Sequence, residues 1–356
     1  MGGRNRKNRE MRLLLAGGGL LIISAVLQVL ARKTGWFGQW YAQWVYPWLS
    51  GTLARFFGLF PFPVGELLLY FLLISCVLYG FWHLGQWKKI VSGTLFLISL
   101  LFFIYTVNCG INYYRRPFSD YLEYRAGRYS EKELEELLGW LTQRVNAVYT
   151  ETGGQECRKV QNEAVKAMEK LGEQYPQLAG YYPRPKPLAW SYFFSVQQLC
   201  GQYSPFTVEA NYNREMPDYN IPHTICHELS HLRGFMREDE ANFIGYLACI
   251  GSDSPSYRYS GYLTGWVYAT NALAKTDMDA YLELCGALDE RAWVDLRGNN
   301  EFWARYDGKA AEVSNQLNDT YLKINSQADG VKSYGRVVDL MLAYARKQAD
   351  SLEEEQ

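Results

Sequence analysis

The chain has 356 residues, of which 48% are hydrophobic, so it can hold a membrane region and one full-sized globular domain. Its 36 basic residues balance its 37 acidic residues, and the formal net charge is -1. Because such a balance gives no electrostatic basis for binding phosphate backbones, we expect no nucleic-acid partner.

Three long apolar runs lie before residue 110, and no run of comparable length follows. They extend from Leu13 to Leu30, from Leu67 to Trp82 and from Val91 to Val107. About 20 helical residues cross a hydrocarbon core of roughly 30 Å, so the runs predict three transmembrane helices in contact with the lipid bilayer. Residues 1–111 are therefore predicted to form an α-helical membrane region.

The basic residues around these runs predict a topology. Lys88 and Lys89 separate the second and third runs, and five basic residues precede the first run: Arg4, Arg6, Lys7, Arg9 and Arg12. By the positive-inside rule both segments are cytoplasmic, which places residues 112–356 outside a bacterial cell membrane. Basic residues on the opposite side weaken this bias: Arg32, Lys33, Arg55, Arg115 and Arg116.

Four tryptophans recur every four residues between the first two runs: Trp36, Trp40, Trp44 and Trp48. On a helix this spacing forms one aromatic stripe. Such a stripe suits the lipid headgroup layer, and packing against neighbouring spans is an equally good alternative.

The segment after the spans begins with a helix signal. Ser130 and Glu133 form a capping-box pattern, and apolar residues follow at helical spacing: Leu134, Leu137, Leu138, Leu141 and Val145. A second helix is predicted over Glu163 to Leu171. The proline-rich stretch at 183–187 then breaks the chain.

Two aromatic and β-branched stretches follow, Trp190 to Val196 and Phe206 to Asn211, and we predict a small sheet from them. The chain after Pro222 is predicted to be helical almost to its end. Residues 112–356 are thus expected to form one mostly α-helical, α+β domain with a small sheet before its main motif.

Seven cysteines are present, at positions 76, 109, 157, 200, 226, 249 and 285. No C-x-x-C pair occurs among them, so neither a zinc ribbon nor a dithiol redox site is predicted. A disulfide between two of the last five and buried free thiols both remain open.

The main motif is His227-Glu228-Leu229-Ser230-His231. A helix places residues four apart on one face, so both imidazoles can bind one metal ion with Glu228 beside them. Zinc held in this way activates a water molecule, and the neighbouring carboxylate takes its proton. The motif predicts a hydrolytic zinc site with His227 and His231 as ligands and Glu228 as general base.

A catalytic zinc site needs a third protein ligand. Gly234 is predicted to end the motif helix, and a second helix with an acidic first turn is predicted to start near Arg237. Glu238 and Asn242 share a face of that helix, and Glu240 competes with Glu238 for the ligand role. His223, four residues before His227, is either close to the site or held by a structural hydrogen bond.

The segment Glu238-Asp239-Glu240-Ala241-Asn242 resembles the E-x-x-A-N pattern of gluzincin-type zincins. That resemblance implies a zincin-like domain in which Glu238 is the third zinc ligand. It also implies that Asn242 orients a metal-binding histidine from outside the coordination sphere. The metzincin pattern fails here, because Arg237 stands where its third histidine would be.

More of the chain resembles a bacterial membrane protein family catalogued as domain of unknown function 3810. The resemblance rests on three segments besides the metal motif: Pro61 to Glu66, Tyr203 to Asn211, and Ser333 to Gly335. It implies a membrane-bound, zincin-like protein and brings no established substrate.

The predicted function is a membrane-anchored zinc metallopeptidase that cleaves peptides or proteins, with zinc as its cofactor. A zinc-binding envelope protein without catalysis, such as a sensor or assembly factor, is the alternative. A transporter is disfavoured, because Glu66 and His83 lie near the ends of the predicted spans. The oxyanion-stabilising residue stays open among Tyr257, Tyr259, Tyr262, Tyr334 and Arg336.

Overall fold

The computed structural model describes residues 2–122, 129–325 and 336–354. Within these ranges the chain is mostly helical and divides into two compact units. The first, here called the membrane unit, contains the residues up to Arg115 together with Ser204–Glu209. The second, here called the helical domain, contains the described residues of 116–203 and those from 210 onwards. No sequence pattern predicts that Ser204–Glu209 belongs to the first unit.

The membrane unit consists of α1 (Gly2–Lys33), α2 (Phe37–Trp40), a π-helical turn (Tyr41–Val45), α3 (Tyr46–Gly58), α4 (Val64–Trp82), α5 (Trp87–Asn108) and a 3₁₀ turn (Gly110–Tyr114). Among the described residues, three stretches are long and apolar enough to cross a membrane: Arg9–Lys33, Val64–Trp82 and Trp87–Asn108. They contain the three predicted runs, so the prediction of three candidate spans is confirmed. Helices α1 and α5 pack closely at Gly17, where a Cβ would lie 3.2 Å from Cα of Phe96.

The Ser204–Glu209 loop is bound to the start of α4. The Glu209 carboxylate accepts hydrogen bonds from the backbone N–H groups of Val64, at 3.2 Å, and Gly65, at 2.7 Å. These N–H groups lie in the first turn of α4, where they lack helical partners and where the helix dipole favours a negative charge. Asn108, at the end of α5, donates to the carbonyl of Pro205 at 2.7 Å. Two of the family segments, 61–66 and 203–211, therefore contact each other.

The described helices of the helical domain are α6 (Glu131–Val148), α7 (Cys157–Gln174), α8 (Ser191–Val196), α9 (Asn220–Leu232), α10 (Glu238–Ile250), α11 (Pro255–Leu273), α12 (Met278–Gly286), α13 (Glu290–Ala304), α14 (Lys309–Ile324) and α15 (Arg336–Glu354). The predicted capping box of α6 is confirmed, because Ser130 Oγ accepts from the Glu133 N–H and the Glu133 carboxylate accepts from the Ser130 N–H. Helix α7 is longer at both ends than the predicted helix.

A three-stranded sheet precedes α9, and its strands are β1 (Lys186–Pro187), β2 (Gly201–Ser204) and β3 (Glu209–Tyr212). The order is β1-β3-β2, with β1 parallel to β3 and Lys186 paired with Asn211. The predicted small sheet is confirmed, and the second predicted stretch overlaps β3 from Glu209 to Asn211, but the first stretch is not a strand. Within Trp190 to Val196 the residues Ser191–Val196 form the helix α8, and Phe206 to Val208 belongs to the β2–β3 connection.

The prediction of a strand at Trp190 to Val196 was wrong. The strand propensity of aromatic and β-branched residues reflects their packing on a half-buried sheet face. Tyr192 and Phe193 are instead 57% and 50% exposed, whereas Ser191 and Ser195, one helical turn apart, are buried. The Ser195 hydroxyl donates to the Ser191 carbonyl at 3.2 Å, as a helical turn allows.

The core of the helical domain is built around α9 and α10. Helix α10 is buried from Asp239 to Cys249, so it lies inside the domain. The two helices approach closely at Gly245, where a Cβ would lie 3.1 Å from the backbone nitrogen of His227. All seven cysteines are free thiols, so the structure contains no disulfide.

Candidate metal centre

Helix α9 carries both histidines of the main motif on one face. The Nε2 atoms of His227 and His231 lie 3.0 Å apart, and the two rings are perpendicular. Their side chains remain 13% and 10% exposed, and that of Glu238 remains 18% exposed. The group is therefore mostly buried but still accessible from solvent on one side.

The turn after α9 depends on Gly234, whose φ of +87° lies in the left-handed region that favours glycine. Its N–H donates to the His231 carbonyl at 2.8 Å, and the Phe235 N–H donates to the Ser230 carbonyl at 3.2 Å. The turn also brings the Phe235 carbonyl to His231 Nδ1, 2.7 Å away. The short segment after the motif thus ends the helix and orients the second histidine.

Glu238 is the first residue of α10 and lies beside both imidazoles. Its carboxylate oxygens are 3.3 Å from His227 Nε2 and 3.7 Å from His231 Nε2. Glu240 points elsewhere: it accepts from the Phe118 N–H at 2.9 Å and lies 3.7 Å from Arg237. Of the two competing carboxylates, only Glu238 is brought to the histidines.

Asn242 lies one helical turn after Glu238, and its Oδ1 is 2.8 Å from His227 Nδ1. Amide and backbone carbonyl oxygens only accept hydrogen bonds, so Nδ1 of both histidines carries the proton. When the rings are neutral, as metal binding requires, this tautomer leaves a lone pair on each Nε2 atom, 3.3 and 3.7 Å from the Glu238 carboxylate oxygens. Two such lone pairs and a carboxylate form a donor set that can hold a cation.

The spacing of the three groups suits zinc. Zinc–nitrogen distances of about 2.0–2.1 Å with tetrahedral angles place neighbouring ligand atoms about 3.3 Å apart. The three observed separations are 3.0, 3.3 and 3.7 Å, which bracket that value. Two imidazoles and one carboxylate are also a typical donor set for catalytic zinc. The residues therefore fit the ion.

The charges of the site also favour a cation. Burial lowers the pKa of His227, but the hydrogen bond and negative charge of Glu238 outweigh this effect and raise it to about 9. Burial raises the pKa of Glu238, yet the hydrogen bond from His227 and the positive charges of His227 and His231 outweigh this effect and lower the pKa to about 2. Glu238 is therefore ionised throughout the neutral range, and positive charge at the two Nε2 atoms stabilises this ionised form.

His227, His231 and Glu238 are here called the metal group. Glu228, which follows His227 in α9, is buried, at 6% exposure. Burial raises its pKa to about 8, while the charge of His227 and a hydrogen bond from the Tyr203 N–H act in the opposite direction. Gly201, also in β2, leaves the space that the carboxylate occupies: a Cβ there would lie 2.6 Å from Glu228 Oε1. A carboxyl group with this pKa can accept and release a proton near neutral pH.

Gly201 and Tyr203 were not identified from the sequence as part of the site. Tyr203 also approaches the metal group through its ring, whose centroid is 6.4 Å from that of His231. The only signal was the position of Tyr203 at the start of a family segment, which assigned it no role.

His223 does not join the metal group. Its Nε2 lies 3.1 Å from the Asn242 carbonyl oxygen, and its N–H donates to Ser260 Oγ at 3.2 Å. Burial lowers its pKa to about 3, so the ring is neutral and donates to that carbonyl. The structural role left open by the sequence is the one observed.

Three of the five candidate oxyanion residues make their contacts elsewhere in the helical domain. Tyr257 donates to the Val160 carbonyl at 2.6 Å, and Tyr259 donates to the Asp295 carboxylate at 2.5 Å. Tyr262 packs against Trp140, and Arg336 begins α15. Tyr334 lies outside the described residues.

Comparison with known proteins yields one family model, Protein of unknown function (DUF3810), which matches residues 41–342. No curated protein and no solved structure matches the chain.

Proposed function

The chain thus belongs to the DUF3810 family, and we propose that it is a membrane-anchored zinc-dependent peptidase or related amide hydrolase. One observation carries the proposal: two imidazole Nε2 atoms and the Glu238 carboxylate converge within 3.0 to 3.7 Å beside a buried second carboxylate, Glu228. This combination supplies both a metal site and a proton acceptor.

His227, His231 and Glu238 hold the zinc ion, and Asn242 keeps the His227 ring in the tautomer that presents Nε2. Zinc in this position supplies Lewis acidity toward water and toward an amide carbonyl. Glu228 takes the proton that water loses as it attacks the carbonyl carbon. The same carboxyl group then gives that proton to the leaving amine nitrogen, so the carboxylate is regenerated.

Strand β2 is the place where we expect the substrate. It is an edge strand of the described sheet, and it carries both groups that contact Glu228, Gly201 and Tyr203. An extended peptide can pair with such an edge through backbone hydrogen bonds. Strand β3 is a poorer candidate for this role, because it lies between the other two strands.

The candidate spans support an anchor in a bacterial cell membrane. The basic residues before α1 and between α4 and α5 support a cytoplasmic location of those segments and an outward-facing helical domain. The substrates proposed are therefore extracytoplasmic peptides or proteins.

Zinc binding without catalysis, as in an envelope sensor or assembly factor, is the competing function. The two are separated by Glu228, because metal retention alone does not need a buried carboxylate whose pKa is raised to about 8. The burial of Glu228 against Gly201 favours catalysis.

The experiment uses the full chain, purified in lipid nanodiscs, and measures bound zinc and cleavage of a peptide library. We expect His231→Ala and Glu238→Gln to lose zinc, and Glu228→Gln to keep zinc and lose cleavage. Glu240→Gln is the matched control, since it alters an acidic residue of the same helical turn that does not face the histidines.

Full zinc occupancy in His231→Ala would rule out the assigned metal site. Zinc binding without any cleavage in the wild type would favour the non-catalytic alternative. Equal cleavage by the wild type and Glu228→Gln would show that another group is the catalytic base. Loss of zinc in Glu240→Gln but not in Glu238→Gln would exchange their roles.

A further inference from the structure

The tryptophan stripe lies on the exposed face of the segment 36–58, here called the interfacial segment. Trp36, Trp40, Trp44 and Trp48 are 63%, 44%, 73% and 72% exposed. The opposite face of the segment is buried in the membrane unit. Its buried residues are Phe37, Tyr41, Ala42, Tyr46, Ser50 and Ala54. Within the described chain the stripe therefore does not pack against the neighbouring spans.

A π-helical turn at Tyr41–Val45 lies within the stripe. Residues four apart on an α-helix advance by somewhat more than one full turn, so a four-residue repeat drifts around the helix. A π-helical turn contains more residues and shifts the repeat in the opposite direction. The turn therefore keeps the four indole rings closer to one face, as a flat surface requires.

The beginning of the interfacial segment lies at the C-terminal end of α5. The Tyr41 hydroxyl donates to the Val107 carbonyl at 2.8 Å, one residue before α5 ends. Gly38 packs against the carbonyl of Tyr114, just beyond that helix, and a Cβ at position 38 would clash with it.

The end of the interfacial segment returns to the same level. Only residues 59–63 separate α3 from the start of α4. The Ser204–Glu209 loop joins the start of α4 to the end of α5, because Glu209 binds the N–H groups of Val64 and Gly65 while Pro205 binds Asn108. Both ends of the segment therefore lie at one end of the spans, and the segment does not cross the membrane unit.

We propose that the interfacial segment lies in the plane of the lipid headgroup layer and that the tryptophan stripe is a lipid-binding surface. The partner is the bilayer, because the stripe belongs to the same unit as the exposed apolar faces of the spans, such as Phe71 at 68% and Val77 at 72%. Indole rings bury an apolar body and hydrogen-bond through Nε1–H, so they prefer this layer. The surface fixes how deeply this end of the spans enters the leaflet.

An in-plane segment and a crossing segment place the four indole rings at different depths in the membrane. Twelve residues separate Trp36 from Trp48, which at about 1.5 Å per helical residue is roughly 18 Å along the axis. A segment in the plane of the layer holds all four indoles at one depth, whereas a crossing segment spreads them over that distance.

The test labels the full chain with 5-fluorotryptophan, reconstitutes it in nanodiscs of phosphatidylcholine and phosphatidylglycerol, and assigns the ¹⁹F resonances by single Trp→Phe variants. Relaxation is then measured with lipids spin-labelled either at the headgroup or at the end of the acyl chain. Trp82 and Trp87 end α4 and begin α5, so they are internal references for an interfacial position. Trp266, 3% exposed in the helical domain, is the reference without lipid contact.

We expect the four stripe resonances to relax strongly and equally with the headgroup label, and weakly with the chain-end label. A steady change from Trp36 to Trp48 would overturn the in-plane orientation. Relaxation as slow as that of Trp266 with both labels would overturn lipid binding, whether a water-soluble relaxation agent reaches the rings or not.

Discussion

Asn242 accepts a hydrogen bond of 2.8 Å from Nδ1 of His227, while its own Nδ2 has no hydrogen-bond partner among the described residues. The contact joins α10 to α9 and fixes which nitrogen of the ring is free to bind a metal. The side-chain oxygen of Asn242 is thus the atom that contacts the ring.

Asn242→Ala is expected to lower zinc affinity by about 10- to 100-fold, because His227 loses the acceptor that orients its ring. Asn242→Asp keeps an acceptor oxygen and should retain most of the affinity. Competition with a chromophoric chelator on the full chain measures both. Equal affinities for Asn242→Ala and the wild type would show that His227 needs no such partner.

Gly201→Ala is expected to displace the Glu228 carboxylate, since the new Cβ would lie 2.6 Å from its Oε1 and 2.9 Å from the Asn211 carbonyl. We expect a loss of about 1–3 kcal/mol in the free energy of unfolding, together with reduced cleavage and retained zinc.

Gly298→Ala is the control for that change, because it lies inside α13 and its Cβ would meet nothing within 4 Å. This substitution should raise stability by up to about 1 kcal/mol through helix propensity. Thermal melting compares the two variants, and similar melting temperatures would contradict the predicted clash.

Glu209→Gln removes the negative charge at the start of α4. Hydrogen bonds to charged groups contribute about 1.5–3 kcal/mol, and the amide replaces only one of the two acceptor oxygens used by Val64 and Gly65. The melting temperature of the full chain in nanodiscs should therefore fall. Glu136→Gln is the control, because this side chain is 64% exposed, and it should leave the melting temperature nearly unchanged. Equal effects of the two substitutions would show that binding of Glu209 to the start of α4 does not stabilise the chain.

His223 predicts a pH dependence of stability. Burial lowers its pKa from 6.5 to about 3 in the folded chain, so the unfolded chain binds more protons between these values. The contribution of the neutral ring is complete above pH 6.5 and is lost as the pH falls below it, at up to about 1.4 kcal/mol per pH unit.

His223→Asn should reduce the slope of melting temperature against pH between 6.5 and 5, measured in the presence of a metal chelator. Because the chelator removes metal binding from both proteins, the difference between them isolates this ring. Identical slopes would show that the pKa of His223 is the same in the folded and unfolded chains.

Local patterns were sufficient where short-range physics decides the structure. The apolar runs predicted the candidate spans, and Ser130 and Glu133 predicted the start of α6. Local patterns failed at Trp190–Val196, because three of the four aromatic residues there are exposed and the fold buries both serines together with Phe194. That choice depends on which side of the segment meets the rest of the domain.

The sequence by itself determined that His227 and His231 share a helical face with Glu228 between them, because that follows from helix periodicity alone. It also determined the turn at Gly234, through the conformational freedom of glycine. Only the tertiary structure decided that Glu238 and not Glu240 faces the histidines, since this depends on how α10 is rotated against α9. The tertiary structure likewise decided that Gly201 makes room for Glu228 and that Glu209 binds the start of α4, because these contacts join residues far apart in the chain.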